Sequence, residues 1–228
     1  MKHRFYNKTK REQNKIQLLI ASVAILVILL SFLISWITRF YLIGVFTFSI
    51  VLSIIAPFFD TPSLRKSGRL IYHSLLFLSE RPKNGIIKIH GGSLFDYVFV
   101  IDQKMNGKQR SSFIIQQYLQ GLLSLIEEHE NNGADNIIVN GTSYIINENT
   151  AQRIGFKLIK TNYLQKMILI YNYFNILISY SIAKAKLSFP KLNETKTFET
   201  SLNELVERKE YIRNLNEKLK STIANKGK

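Results

Sequence analysis

Residues 16–59 read IQLLIASVAILVILLSFLISWITRFYLIGVFTFSIVLSIIAPFF and contain a single charged side chain, Arg39. At about 1.5 Å rise per residue, one helix over this stretch would overshoot a hydrocarbon core of ~30 Å twofold. Segments 16–38 and 40–59 are each of spanning length, so Arg39 marks the tip of a tight helical hairpin, flanked by Trp36 and Tyr41 where amphipathic rings favour an interface. A secretory signal peptide also begins basic and continues apolar, but its apolar region runs ~7–15 residues to a small-residue cleavage site. This run is longer and has no such site. Pro57 falls in the last turn of the second span, and Asp60-Thr61-Pro62 predicts its stop.

Outward from that run, the 228-residue chain has a net charge of +15, and its 46% apolar residues with a mean hydropathy of +0.01 exclude a disordered chain. Lys2, Arg4, Lys8, Lys10, Arg11 and Lys15 precede the first span, Arg65, Lys66 and Arg69 follow the second, and only Arg39 lies between. The positive-inside rule then predicts a two-pass protein of the inner (plasma) membrane with both termini and the soluble domain cytoplasmic. Anionic lipid headgroups are the expected partner of the flanking charge, at about 1 kcal/mol per juxtamembrane Lys or Arg. The near-balanced middle of the chain and the absence of a DNA or RNA motif predict no nucleic-acid partner. With no cysteine, disulfides, thiolate zinc sites and cysteine nucleophiles are excluded.

The organisation expected is a basic N-terminus (1–15), a transmembrane hairpin (16–60), an α+β domain (61–162), an aromatic amphipathic helix (163–190) and a charged C-terminal helix and tail (191–228). Within the domain, residues 70–79 read as a strand, the turn residues Arg81-Pro82-Lys83-Asn84-Gly85 follow, and 86–90 form a second strand. After Gly91-Gly92-Ser93, residues 94–102 alternate Phe95, Tyr97, Phe99 and Ile101, the period of a third strand. Phe113, Leu119, Leu122, Leu123 and Ile126 share a face of a helix over 113–130, ended by Asn131-Asn132-Gly133. A strand (136–144), a short helix (147–154) and a last strand (156–160) complete the order β-β-β-α-β-α-β in a small mixed sheet.

Residues 167–183 carry no charge, but Asn172, Asn175 and Ser179 make a polar stripe among Tyr171, Tyr173, Phe174 and Tyr180. A third span there would bury two amides in lipid, so a helix packed on the sheet or lying in the interface is expected. In 198–220, Leu205, Ile212 and Leu219 are spaced by seven, which serves either self-association or another protein partner, or docking on the chain's own domain.

The element order over residues 70–160 resembles the C-terminal core of the GNAT superfamily, the acyl-CoA-dependent N-acyltransferases. There a meander leads to a loop opening a helix whose backbone N–H groups hold the pyrophosphate of acyl-CoA, and a later short helix ends in a Gly-Phe pair entering a strand. Gln152-Arg153-Ile154-Gly155-Phe156-Lys157 looks like that junction. The resemblance implies acyl-CoA as cofactor, held by Lys104, Gly107, Lys108, Gln109, Arg110 and Ser111, and a V-shaped splay between strands 94–102 and 136–144. A helix N-terminus, with its unpaired N–H groups and partial positive charge, suits an anion in any fold. The family's pyrophosphate motif places Gln or Arg, Gly, and Gly or Ala where this chain has Lys104, Gly107 and Gln109, and its frequent general-acid tyrosine falls on Ala151. Tyr144 and His90 are the remaining candidates for proton transfer.

Other chemistries find no support. His90-Gly91-Gly92 has no Gly-x-Ser-x-Gly elbow to accompany it, and Asn106-Gly107-Lys108 lacks the rest of a nucleotide-binding loop. His3, His73, His90 and His129 have no metal-ligand spacing, so no metal is expected. Two readings remain: a membrane-anchored GNAT-like domain that binds acyl-CoA or transfers its acyl group, and a non-catalytic membrane scaffold acting through its C-terminal helices.

Overall fold

A computed structural model describes residues 2–130, 137–143 and 148–225. Helix α1 (Lys10–Thr38) opens on a capping box in which Thr9 and Glu12 satisfy each other's backbone N–H, and it closes at Arg39 in the left-handed conformation. Helix α2 (Leu42–Lys66) returns alongside it. Near the tip, Ser31, Ser35 and Gly44 are the buried contacts, and the Gly44 N–H donates to Ser35 Oγ at 2.8 Å. A Cβ on Gly44 would come within 2.9 Å of the Phe32 ring, so small residues set how closely the helices approach. Elsewhere the pair presents its apolar side chains outward, with Leu18 68%, Ile37 70% and Phe46 62% exposed. Both helices are long and apolar enough to cross a membrane, and that solvent suits such surfaces.

The remaining chain forms β1 (Leu70–Tyr72), β2 (Phe77–Glu80), β3 (Ile86–Gly91), α3 (Leu94–Val100), α4 (Gly107–Glu130), β4 (Ile138–Ser143), α5 (Glu148–Arg153), β5 (Lys157–Ile159), α6 (Tyr163–Tyr171), α7 (Tyr173–Lys184), β6 (Lys196–Ser201), α8 (Leu202–Glu207) and α9 (Lys209–Asn225). The strands make one mixed sheet in the order β1-β2-β3-β4-β6-β5. Among the described residues β3–β4 is the one parallel pair, joined through α3 and α4. Ile87, Val139 and Phe198 meet Leu119, Leu122, Leu123 and Ile126 of α4 in the main core.

Several expectations change. Residues 70–79 are a hairpin of two strands rather than one, turning over 73–76. The expected strand over 94–102 is helix α3, because Ser93 and Asp96 form a capping box that fixes a helical start. The buried carboxylate of Asp96 accepts from Ser93 N and Oγ at 2.7 and 2.9 Å, from Tyr72 Oη at 2.6 Å and from His3 Nε2 at 3.2 Å. It thereby ties β1 and the N-terminal residues to α3. Arg4 adds donations to the carbonyls of Val98 and Ile101 at the end of α3. Strand β6, which takes the end of the polar stretch and residues 198–201 of the expected helix over 198–220, fills the sheet between β4 and β5. The leucine stripe of the C-terminal helices is spent within the chain: Leu205 and Ile212 are fully buried, and Leu215 and Leu219 pack on the same core. The Asn131-Asn132-Gly133 helix end and Tyr144 lie outside the described residues.

Helix α2 does not stop at its prolines but runs through both. Each proline lacks an N–H, so the carbonyls four residues earlier, Ser53 and Phe58, lose their intrahelical donor. Other helices supply it. Asn175 Nδ2 of α7 donates to Ser53 O at 3.1 Å, and Gln17 Nε2 of α1 donates to Phe58 O at 2.9 Å. Ser53 Oγ in turn donates to Tyr171 O at 3.3 Å. Below this level Ile178 and Ile182 join Phe5, Phe58, Leu94 and Phe95 in a cluster linking hairpin to domain.

Asn175→Ala leaves a buried carbonyl unpaired and is expected to cost about 1–3 kcal/mol. In a Pro57→Ala background residue 57 supplies an N–H to the same carbonyl, and the cost of Asn175→Ala should fall by at least half. Thermal unfolding of the four detergent-solubilised proteins measures the coupling.

Candidate functional site

Pairing of β3 with β4 runs from Ile86–Ile138 to Ile89–Gly141 and stops there, although both strands continue. Beyond that point Gly91 pairs with Phe77 of β2, while Thr142 and Ser143 pair with Thr197 and Lys196 of β6. The sheet therefore parts between His90-Gly91 and Thr142-Ser143. The splay expected between 94–102 and 136–144 does not form, since 94–102 is a helix, and the parting lies between β3 and β4 instead.

A cavity of about 310 Å³ occupies the parting. The cavity is bordered by the consecutive residues Lys88, Ile89, His90 and Gly91 of β3 and Asn140, Gly141, Thr142 and Ser143 of β4. Ile115, Tyr118, Leu119 and Leu122 of α4 form one wall, and Ala151, Ile154 and Phe156 another. Gln165 and Leu169 of α6 and Ile176 of α7 close the remaining side. Among the described residues no Asp or Glu borders it, and the polar lining is amide, hydroxyl, lysine and imidazole.

Tyr118 is the cavity-lining polar group that sequence reasoning missed. Its hydroxyl lies against Gly91, where a Cβ would approach to 2.1 Å, so only glycine leaves room for the phenol at the strand end. Burial pushes the Tyr118 pKa up to about 12, opposed by a hydrogen bond with Tyr97 and supported by the Asp96 charge. The phenol thus stays protonated through the neutral range as a hydrogen-bond donor. Its position on the apolar face of α4 made it indistinguishable in sequence from a core aromatic.

His90 borders the cavity, and its Nε2 pairs with Glu80 Oε1 at 2.9 Å across the β2–β3 pair. Ala151 also lines the cavity, so the position of the family's tyrosine faces the cleft but carries a methyl group. Gly155 has φ +97° and lets α5 turn sharply into the buried Phe156 and β5.

The first turn of α4 stands apart from this cavity. Gly107 precedes Ile115 by eight residues, about 12 Å along the helix. Asn106 and Gln109 form a reciprocal cap, with Gln109 N donating to Asn106 Oδ1 at 3.0 Å and Asn106 N to Gln109 Oε1 at 2.9 Å. Arg110 is buried and spends its guanidinium on the carbonyls of Gln103, Met105 and Ile182 at 2.7–2.9 Å. Its work is to hold α7 to the start of α4. Lys108 and Ser111 line a shallow depression with Gly107 and Lys184, and Lys104 is exposed nearby in the chain. Among the described residues no cluster of His, Cys, Asp and Glu is suited to a metal.

No known protein family, curated protein or solved structure matches the chain.

Gly91→Ala is expected to displace Tyr118 and destabilise the protein by about 1–3 kcal/mol. Adding Tyr118→Phe removes the hydroxyl and should recover part of the loss, since the ring carbon at 2.9 Å remains in the way. Unfolding temperatures of the two variants and the wild type give the comparison.

Proposed function

We propose that the protein is a membrane-anchored, acyltransferase-like domain that binds an acyl-CoA with its thioester in the cleft between β3 and β4. The carrying observation is that the one parallel strand pair among the described residues stops at Ile89–Gly141, where a largely apolar cavity is bordered by both strands. The same helix that walls this cavity begins about 12 Å away at a turn bordered by Lys108, Ser111 and Lys184, so phosphates and thioester of one extended ligand have separate sites along α4. Lys104 adds charge there; Gln109 and Arg110 act through the local fold. The basic flanks of the hairpin support a cytoplasmic domain, the compartment of acyl-CoA.

The chemistry proposed is transfer to an amine. The amine nitrogen attacks the thioester carbonyl carbon, the C–N bond forms, and the C–S bond breaks. Tyr118 donates a hydrogen bond to the charge developing on the carbonyl oxygen. His90 accepts the proton from the nitrogen and returns it to the departing sulfur, which yields an amide and a free thiol. The scaffold reading loses its main surface, because the stripe at Leu205, Ile212 and Leu219 packs on the protein's own core.

Calorimetry with acetyl- and long-chain acyl-CoA tests the reading. Wild-type protein should bind at least one of them, and Ala151→Tyr, which fills the cavity from α5, should abolish binding while remaining folded. Tyr118→Phe should bind but lose transfer by roughly 10²–10³-fold. Folded wild-type protein that binds neither thioester refutes the proposal.

A further inference from the structure

Helix α6 divides into two faces. Gln165 and Leu169 point into the cavity, whereas Leu164, Met167, Ile168, Ile170 and Tyr171 are between 46% and 66% exposed. In water such a face would be an uncovered apolar patch. Its position indicates what covers it. The end of α6 is bonded to α2 through Ser53 Oγ and Tyr171 O, and the next helix through Asn175 and Ser53 O. Ser53 lies five residues into the span from Phe58, where Gln17 of α1 meets α2, and hence about 7.5 Å deeper along the helix. Interfacial amphipathic helices bury their apolar face by about 5–10 Å. The exposed face of α6 is thus continuous with the lipid-facing surface of the hairpin, at the depth of an interfacial helix. Lys166, exposed on α6 itself, can extend toward the headgroups.

We infer that α6 lies in the lipid leaflet beside the hairpin and that the cleft behind it takes its acceptor from the membrane: an amphiphile whose chain enters along the apolar wall of Leu169, Ile176 and Ile115 and whose headgroup carries the nucleophile. This rests on the cleft being the ligand site proposed above. The wall between lipid and cavity is one helix thick. The neutral amides and hydroxyls of Asn140, Thr142 and Gln165 provide the polar end, and among the described residues no carboxylate lines the cavity to hold a freely soluble polyamine.

The test uses the full-length protein in vesicles of phosphatidylethanolamine and phosphatidylglycerol, with a photoreactive benzophenone amino acid in place of Leu169, Tyr171 or Lys157 in turn. Lys157 is an exposed position on β5 away from the proposed lipid face. Irradiation should attach phospholipid at 171 and at 169, and at least tenfold less at 157. Adducts at 171 but not at 169 mean a lipid-facing helix over a cleft closed to lipid, and overturn the inference. Adducts at neither position overturn the placement of α6 as well. Acyl-CoA calorimetry on the same preparations separates the two proposals: thioester binding without lipid adducts at 169 leaves the acyltransferase reading standing and removes only the membrane acceptor.

Discussion

A backbone carbonyl in an apolar medium must have a donor, and this requirement joins the two halves of the protein. Pro57 and Pro62 withdraw donors from Ser53 and Phe58 inside α2, and the nearest replacements are the side-chain amides of Asn175 and Gln17. The first bond fastens α7 to the hairpin, and the second fastens α1 to α2. Because α7 also meets α3 and, through Arg110, the start of α4, a polar contact within the span reaches the wall of the cleft. The anchor is consequently part of the domain's architecture, and the apolar cluster of Phe5, Phe58, Leu94 and Phe95 seals the junction.

The cleft arises from competition between strand partners. β3 and β4 pair in parallel over four residues, after which β2 retains one and β6 the other. Beyond that point the space between them is bordered by Gly91 and by the small Thr142 and Ser143, and the α4 phenol occupies the room beside Gly91. A neutral donor, an imidazole on the rim and an apolar wall suit chemistry on a carbonyl attached to a hydrophobic chain.

The hairpin was legible because a 44-residue apolar run with a single Arg39 has few other solutions. The helix over 113–130 and the junction at Gly155-Phe156 were legible for similar local reasons, but the helix starts at Gly107, within the stretch 103–112 that reads as a loop. The misread segment, 94–102, carried two signals in nine residues: alternating aromatics and the Ser93-x-x-Asp96 cap. The cap prevails because Asp96 also gathers Tyr72 and His3, partners that are distant in sequence. β6 straddles a polar stretch and the start of the expected helix over 198–220, and its strand conformation depends on the vacancy between β4 and β5. The stripe of Asn175 and Ser179 was visible, but not the Ser53 carbonyl that Asn175 satisfies. For the site, His90 was a candidate from sequence and borders the cavity, whereas Gly107, Lys108 and Ser111 lie in a separate depression, and Tyr118 was not singled out because its setting depends on a glycine on another element.

The central claim is that the bilayer reaches the helix that walls the cleft. The chain has no cysteine, so single nitroxide labels can be placed at each position over 163–171 without background. Accessibility to oxygen and to a water-soluble nickel chelate, measured by electron paramagnetic resonance in vesicles, should give oxygen maxima and nickel minima at 164, 167, 168 and 171, with both low at 165 and 169. High nickel accessibility along the whole segment would put α6 in water and contradict the account.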